Sequence, residues 1–272
     1  SILTVSDKVV ILGCGNVGVS TAADLSLKGK DVILLKSSKI PSLIFDKIRN
    51  NGNSVWFREA GQLRKSAIRE VSDDLSKISD ADIVIVTIQS TYHENLIKTI
   101  SQYLNERQIV IVVCSYLSSL YFLRLCDSLP IIAETTGPYL EGRVETEGDK
   151  VVFKVGCRLS QSPLSVFQEE REDECMTAIC GLNQGFANVY NPLESALLNP
   201  NMVLHTVGSV MSIPRIEFSE GNFCMYREAY SRKNEATMRI MLELDDEKKK
   251  VLKKLHCDPV DIFTAAGFSG DK

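Results

Sequence analysis

The stretch KVVILGCGNVGVSTAADLSLKG, residues 8–29, begins with an apolar run and turns through a GxGxxG motif into a helical pattern. The β-branched run predicts a buried strand, and the small and apolar residues after the turn predict a helix. In this context Gly13 permits a tight turn, Gly15 lets the backbone approach a pyrophosphate, and Gly18 lets helix and strand pack closely. The helix begins near Asn16 and Val17, and its first N–H groups are suited to phosphate. The stretch therefore predicts a dinucleotide-binding unit, with a merely structural turn as the alternative.

The second predicted strand, in DVILLKSS at residues 31–38, bears on the choice of nucleotide. NAD-binding folds usually place Asp or Glu at the end of this strand to bind the ribose hydroxyls. This chain has Lys36, Ser37, Ser38 and Lys39 there, and cations and hydroxyls suit a 2′-phosphate. We expect NADP as the cofactor, with NAD less favoured. The alternative is that the lysines belong to a solvated loop.

Strand and helix patterns continue to alternate up to about residue 187, which predicts a doubly wound, mostly parallel Rossmann sheet in an α/β domain over residues 1–187. Ligands bind such sheets beyond the carboxyl ends of the strands. The residues expected along that edge are 89–93, 114–117 and 134–138. We expect His93 to contact the dinucleotide, or else to have a packing or capping role at the start of a helix. The segments with strand or surface-helix character are SVWFRE (54–59), AIREV (67–71), RQIVIVVCS (107–115), PIIAET (130–135), KVVFKVG (150–156) and, as a helix, FQEEREDECMTAICGL (167–182).

From Asn188 onward only helical patterns follow, so residues 188–272 are expected to form a smaller all-helical substrate domain. The pattern NPLESALLNPNMVLHTVGSVM, residues 191–211, is interrupted at Asn199 and Pro200. A long amphipathic helix is predicted over residues 231–255. Its expected apolar stripe consists of Ala236, Ile240, Leu244, Val251 and Leu255.

Composition excludes several classes of function. The chain of 272 residues has a formal net charge of −4, which argues against a nucleic-acid-binding surface. No apolar run approaches the roughly 18 residues needed to cross a membrane, and a signal peptide has no room before Lys8, so a cytoplasmic protein is expected. The eight cysteines have neither CxxC nor zinc-type spacing, so we expect reduced thiols and no metal.

His205, in NPNMVLHTVGSV at residues 199–210, is the candidate catalytic residue. Histidine donates and accepts protons near neutral pH, as acid–base catalysis requires. The alternative is a core histidine with a satisfied hydrogen bond. Glu134 and Arg143 are candidates for holding substrate amino and carboxylate groups, with ion pairing as the alternative. Asn199 either binds substrate or breaks the helix before Pro200.

Several stretches together resemble the opine dehydrogenases of the octopine and nopaline type. They are GCGNVG, ADIVIVTIQSTYH (81–93), IIAETTGPYLEGR (131–143), ESALLNPNMVLHT (194–206), RIE (215–217), and FCMYREAYS (223–231) followed by LELDDEK. The resemblance implies a catalytic acid/base at His205. The chain departs from the family in having Thr206 where members have Pro, and members continue with a carboxylate-bearing segment that orients the histidine.

The resemblance implies an NAD(P)H-dependent dehydrogenase that condenses an amino acid with a 2-oxo acid and reduces the imine. Two alternatives remain open. One is a ketopantoate or 2-hydroxyacid type of reductase, although such enzymes depend on a lysine and none lies between Asn183 and Met211. The other is a nucleotide-binding regulatory protein that has lost catalysis. The expected partners are small molecules, with no nucleic acid and no membrane, and a homodimer is left open.

Overall fold

The computed structural model describes residues 8–183, 185–188 and 190–265. The chain divides into unit 1, residues 1–192, and unit 2, residues 193–272. Among the described residues, no helix combines the length and the apolar character that a membrane crossing requires.

Unit 1 alternates strands and helices along most of its length. Its elements are β1 (Lys8–Leu12), α1 (Asn16–Leu27), β2 (Asp31–Leu35), α2 (Leu43–Asn50), β3 (Ser54–Glu59), β4 (Gln62–Ala67), β5 (Glu70–Ser72), β6 (Ile83–Val86), α3 (His93–Ile100), β7 (Ile109–Val112), α4 (Ser119–Leu125), β8 (Ile131–Thr135), β9 (Leu140–Glu147), β10 (Lys150–Arg158), β11 (Ser162–Val166), α5 (Glu172–Leu182) and β12 (Phe186–Asn188). Short 3₁₀ helices cover Leu75–Asp80, Ser90–Tyr92, Ser101–Tyr103 and Glu169–Arg171.

The main sheet has the strand order β12-β11-β8-β7-β6-β1-β2-β5. Every neighbouring pair is parallel except β11 with β8. The chain leaves β1 toward β2 and β5 on one side, and later returns to place β6 on the other side of β1. The order therefore reverses between β1 and β6, which is where such sheets bind ligands. The predicted doubly wound, mostly parallel sheet is confirmed.

Apolar side chains cover both faces of this sheet. Along β1, for example, Val9 and Ile11 belong to one buried cluster and Val10 and Leu12 to the other. Successive side chains of a strand point to opposite faces, so a strand buried on both faces consists of consecutive apolar residues. This is why the runs VVIL of β1 and IVIV of β6 are apolar throughout instead of alternating.

A second, four-stranded sheet of order β4-β3-β10-β9 was not predicted. It packs over α1, whose residues from Gly18 to Leu25 are all buried. Polar bonds join the layers, since the Ser66 hydroxyl donates to the Ala23 carbonyl at 2.7 Å and the Tyr139 hydroxyl to Asp24 at 2.8 Å. The signal for this sheet is that α1 has only one charged residue, Asp24, and no long polar side chains, which favours cover on more than one side.

The predicted strand over residues 67–71 is wrong in its bounds. Ala67 ends β4, which pairs in a hairpin with β3, and Glu70 begins β5, which joins the main sheet beside β2. The two strands therefore belong to different sheets. The intervening Ile68 is buried in the apolar cluster between them.

Unit 2 is helical throughout its described residues. Its elements are α6 (Pro192–Leu198), α7 (Asn201–Met211), α8 (Ile213–Phe218), a π-helix (Met225–Ala229), α9 (Glu235–Lys254) and α10 (Ile262–Ala265). The predicted interruption at Asn199 and Pro200 separates α6 from α7. The core of the unit contains Val203, Val207, Met241 and Ile262.

The predicted apolar stripe of α9 is wrong for most of its members. Ala236 is exposed, and Ile240, Val251 and Leu255 are 41%, 49% and 45% exposed, although Leu244 packs against the core. The buried side chains of this helix are Thr237, Met241, Asp245, Lys248 and Leu252. The buried face includes an ion pair, so apolar character alone does not identify it.

Candidate functional site

The loop after β1 owes its shape to two glycines. Gly13 has a φ of 118°, and a Cβ there would lie 2.4 Å from Oγ1 of Thr87. A Cβ on Gly18 would lie 1.8 Å from the Gly13 carbonyl oxygen. By contrast, a Cβ on Gly15 would meet no atom within 4 Å. The first two glycines therefore serve the packing of turn, helix and strand, and Gly15 leaves open space at the N-terminus of α1, as a dinucleotide pyrophosphate requires.

A cavity of about 540 Å³ lies beside this loop, within the size range of ligand pockets. Its walls come from the carboxyl ends of β1, β2 and β6 and from α3. Of the predicted cofactor residues, it is lined by Gly13, Gly15, Lys36, Ser37 and Ser38. Other lining residues include Ile40, Thr87, Gln89, Tyr92 and Asn95. The residues around Gln89 follow the carboxyl end of β6. Because the strand order reverses between β1 and β6, a ligand is expected to contact the loops after both strands.

The charge of this cavity comes from Lys36. Its ammonium donates to the Ile40 carbonyl at 3.0 Å and lies 5.3 Å from the centre of the Phe45 ring. No Asp or Glu is among the described residues that line the cavity, whereas Ser37 and Ser38 add hydroxyls. Lys39 is exposed and outside the lining. Burial raises the pKa of the nearby Cys14 thiol to about 12, so Cys14 stays neutral.

A second cavity, of about 390 Å³, shares Thr87, Ile88 and Gln89 with the first. It adds the predicted residue Val17, together with Cys114 and Tyr116 from the loop after β7. Burial raises the pKa of Cys114 to about 11, so its thiol is protonated at neutral pH. The two cavities therefore lie on either side of the loop that follows β6.

The loop after β7 has an unusual backbone that is held by buried polar groups. Cys114 and Leu117 have φ values of 59° and 61°, a region that side chains other than glycine rarely adopt. The Ser115 hydroxyl donates to the carboxylate of Glu134, and the Ser119 hydroxyl donates to the same carboxylate at 2.6 Å. Glu134 is only 1% exposed. Its geometry assigns it to this loop and does not fit the predicted role in binding a substrate amino group.

His93 is also part of the buried framework. It is fully buried, its Nδ1 lies 2.6 Å from the Ser118 hydroxyl, and its Nε2 lies 2.7 Å from the Ile88 carbonyl. A carbonyl only accepts, so Nε2 carries the hydrogen and Nδ1 accepts from Ser118. Burial lowers the pKa of this imidazole and keeps it neutral. Both nitrogens are occupied, so the predicted contact of His93 with the dinucleotide does not fit, and the helix-start role does.

Three other predicted site residues, Asn16, Arg143 and Asn199, are not among the residues that line the first cavity. The Asn16 amide oxygen accepts from the Val144 N–H at 2.8 Å, which joins α1 to β9. Arg143 is exposed on β9, in the second sheet. Asn199 is 4% exposed, and its side-chain oxygen accepts from the Asn201 N–H at 2.9 Å, so it starts α7 after the helix break.

In unit 2, His205 lies on α7 and is exposed, so the alternative of a core histidine does not describe it. Its Nε2 lies 3.1 Å from the hydroxyl of Tyr226, which belongs to the π-helix. Short π-helical turns are often found at functional sites. The histidine therefore has one defined hydrogen-bond partner and access to solvent.

The π-helix is held beside α7 by residues of the motifs that suggested the family. A Cβ on Gly208 would lie 2.2 Å from the sulfur of Met225, so a larger residue would have to displace the Met225 side chain. The Arg215 guanidinium pairs with Glu228 at 2.8 Å, and the Asn234 amide donates to the Glu228 carbonyl at 2.6 Å. The segments RIE and YRE therefore build the surroundings of His205.

Comparisons with known proteins agree with these two parts of the chain. Residues 188–269 match the family described as NAD/NADP octopine/nopaline dehydrogenase, alpha-helical domain, and residues 9–114 match ketopantoate reductase PanE/ApbA. An opine dehydrogenase of Arthrobacter sp. (strain 1C) is 24% identical over 219 residues, which are 78% of this chain and 59% of that protein. The chain thus spans less than two thirds of the length of this relative.

Solved structures share the fold. Yersinopine dehydrogenase with NADP+ bound has a TM-score of 0.73 at 13% identity, covering 95% of this chain and 66% of that one. Octopine dehydrogenase with NADH and L-arginine has a TM-score of 0.62 at 15% identity, covering 76% of this chain and 54% of that one. The chain therefore shares the fold of the octopine and yersinopine dehydrogenases, and its helical domain is similar to that of the octopine/nopaline dehydrogenases.

Proposed function

We propose that this chain is an NAD(P)H-dependent oxidoreductase that condenses the amino group of an amino acid with a 2-oxo acid and reduces the resulting imine. The observation that carries the proposal is the exposed His205, held at one ring nitrogen, on a domain of the octopine and nopaline type. The dinucleotide cavity of unit 1 supports it. Similar enzymes have been solved with NADH and L-arginine and with NADP+.

Unit 1 is proposed to bind the cofactor. The open space at Gly15 and the N-terminus of α1 suit the pyrophosphate, and Lys36, Ser37 and Ser38 suit the adenosine ribose and its 2′-phosphate. When bound, the nicotinamide supplies the hydride. Val17 and Gln89 line the adjoining cavity and would shape the space beyond the pyrophosphate.

The proton chemistry is assigned to His205. Addition of the amine to the 2-oxo group forms a carbinolamine, which loses water only when its hydroxyl is protonated. His205 as imidazolium donates that proton, and the iminium that forms accepts the hydride at carbon. Exposure of the ring allows a proton from solvent to restore the imidazolium. Arg143 stays a proposed carboxylate ligand because it is exposed, whereas Glu134 and Asn199 are not retained as substrate ligands.

The test is turnover by purified protein supplied with NADPH and pools of amino acids and 2-oxo acids, with the product identified by mass. We expect NADPH oxidation only when both substrates are present. His205→Asn keeps a polar side chain but cannot exchange protons near neutral pH, so turnover should fall by roughly 10²- to 10⁴-fold. NADPH affinity and melting temperature should change little, because the side chain is exposed. An Asn variant that turns over normally would contradict the assignment.

A second candidate is reduction of a 2-oxo acid without an amine, favoured by the match of residues 9–114 to ketopantoate reductase. The same assay separates the two functions. NADPH oxidation with a 2-oxo acid alone, unchanged by amino acids, would favour this second function over the first.

A further inference from the structure

The contact between His205 and Tyr226 involves only one of the two ring nitrogens. The Tyr226 hydroxyl lies 3.1 Å from Nε2, and the rings meet edge to face at 84° with their centres 6.0 Å apart. Tyr226 is itself 62% exposed. Within the described part of the chain, Nδ1 of His205 has no hydrogen-bond partner. One nitrogen is therefore held by the protein, and the other is available to a ligand.

A phenol suits a histidine that changes its protonation state. The hydroxyl both donates and accepts a hydrogen bond. Its oxygen accepts from the Nε2–H of the imidazolium, and it accepts from the same Nε2–H in the neutral imidazole that has released its Nδ1 proton. The hydrogen bond between Nε2 and the Tyr226 oxygen is the same in both states. The ring therefore keeps its orientation while Nδ1 gains and loses a proton.

The backbone that carries Tyr226 is fixed by contacts other than this hydrogen bond. Gly208, one turn after His205, lets the π-helix approach α7, since a Cβ there would also lie 3.1 Å from the Tyr230 ring. The Tyr230 hydroxyl donates to the Leu204 carbonyl. Loss of the Tyr226 hydroxyl therefore leaves the segment in place and removes only its bond to the imidazole.

We propose that Tyr226 is a positioning residue for His205, which binds Nε2 and so directs proton exchange with the substrate to Nδ1. The catalytic part of this inference rests on the proposed function. The orientation of the ring is a separate property of unit 2 and is measurable without turnover. Tyr226 acts through His205 and transfers no proton to the substrate itself.

The test is Tyr226→Phe, which keeps the ring and removes the hydroxyl. Nitrogen NMR of ¹⁵N-labelled protein distinguishes the two neutral tautomers, and the chain has only three histidines, so His205→Asn identifies the resonances. We expect the neutral His205 of the unmodified protein to carry its hydrogen on Nε2, and the fraction in this tautomer to fall in the Phe variant. In the turnover assay, kcat should fall about tenfold, the effect of one hydrogen bond, with KM for NADPH unchanged.

Tyr230→Phe is the matched control, because it removes a hydroxyl from the same segment that bonds a carbonyl and not the imidazole. It should lower the melting temperature and leave the His205 tautomer as it is. Identical His205 spectra in the unmodified and Tyr226→Phe proteins would overturn the inference, and so would an unchanged kcat. An unmodified protein with no activity on any substrate pair would instead contradict the proposed function, while the spectra would still decide how the ring is held.

Discussion

At the scale of single residues, the proposed preference for NADPH depends mainly on Lys36. It lines the dinucleotide cavity together with Ser37 and Ser38, and no carboxylate lies among the described lining residues. Its ammonium uses one donor on the Ile40 carbonyl, and an ammonium has three. Two donors therefore remain for a 2′-phosphate. Lys39, the other cation of this segment, lies outside the lining.

We predict that Lys36→Met weakens NADPH binding and leaves NADH binding unchanged. A hydrogen bond to a charged group contributes roughly 1.5–3 kcal/mol, so the Kd for NADPH should rise at least about tenfold. Fluorescence titration with both reduced cofactors measures this. Lys39→Met is the control and should alter neither Kd. Tighter binding of NADH than of NADPH by the unmodified chain would contradict the preference for NADP.

The interpretations that agree with the geometry at this scale are those of residues whose role is local. The parts played by Gly13 and Gly18 follow from a strand, a turn and a helix that are consecutive in the chain. His93 and Glu134 were interpreted as ligand contacts because they follow strands at the binding edge. Their partners, Ser118 for His93 and Ser115 for Glu134, come from the loop after another strand. Sequence spacing places a residue at an edge, but it does not determine whether the side chain turns into the protein.

At the scale of elements, α9 shows two similar ion pairs in different surroundings. Lys248 and Asp245 are 2.8 Å apart and each side chain is 4% exposed. Lys249 and Asp246, one position along, are 2.6 Å apart but 31% and 60% exposed. The prediction of an apolar stripe failed here because a buried pair looks polar in the sequence. Burial of both charges together is tolerated, whereas burial of one alone is costly.

We predict that Lys248→Met destabilises the protein strongly, because it leaves the Asp245 carboxylate buried without its cation. Loss of one partner of a buried pair costs about 3–5 kcal/mol. Lys249→Met on the same helix should have a small effect, because its pair is screened by solvent. Urea unfolding followed by circular dichroism compares the two variants. Equal losses of stability in both would show that burial does not set the strength of the Asp245 pair.

The second sheet illustrates which elements were missed and why. β3 and β10 were predicted as strands, but their parallel pairing joins residues near 56 to residues near 152. No local pattern specifies such a distant partner. The local feature that indicates the second sheet is α1, whose successive residues from Gly18 to Leu25 are all buried. A helix buried in this way is covered by more than one layer.

At the scale of the whole molecule, the main sheet followed from alternation alone, and its reversal between β1 and β6 lies beside the candidate cofactor cavity of unit 1. His205, the proposed catalytic residue, was identified only through the motif that surrounds it in the sequence. A histidine among apolar neighbours resembles a core residue, and only the folded unit shows that His205 is exposed beside Tyr226. Patterns of hydrophobicity therefore predicted the architecture, and tertiary contacts decided the roles of individual side chains.

The framework of unit 1 also gives its stability a predictable dependence on pH. Burial holds the pKa of His93 below its ordinary value of 6.5. The unfolded chain therefore binds more protons than the folded chain once the pH falls below about 6.5. The free energy of unfolding should decrease with acid by up to about 1.4 kcal/mol per pH unit from this group. The decrease ends where the pH passes below the folded pKa, since both states then carry the proton.

Trp56 makes this measurable for unit 1 by itself, because it is the only tryptophan of the chain and lies on β3. We predict that urea unfolding followed by its fluorescence shows decreasing stability as the pH is lowered below about 6.5. His93→Gln should show a smaller slope in this window, whatever its stability at neutral pH, because glutamine does not titrate. His256→Gln, at an exposed position, should keep the original slope. A slope that survives in His93→Gln would mean that other groups produce it, and that the buried imidazole is not the acid-sensitive element of unit 1.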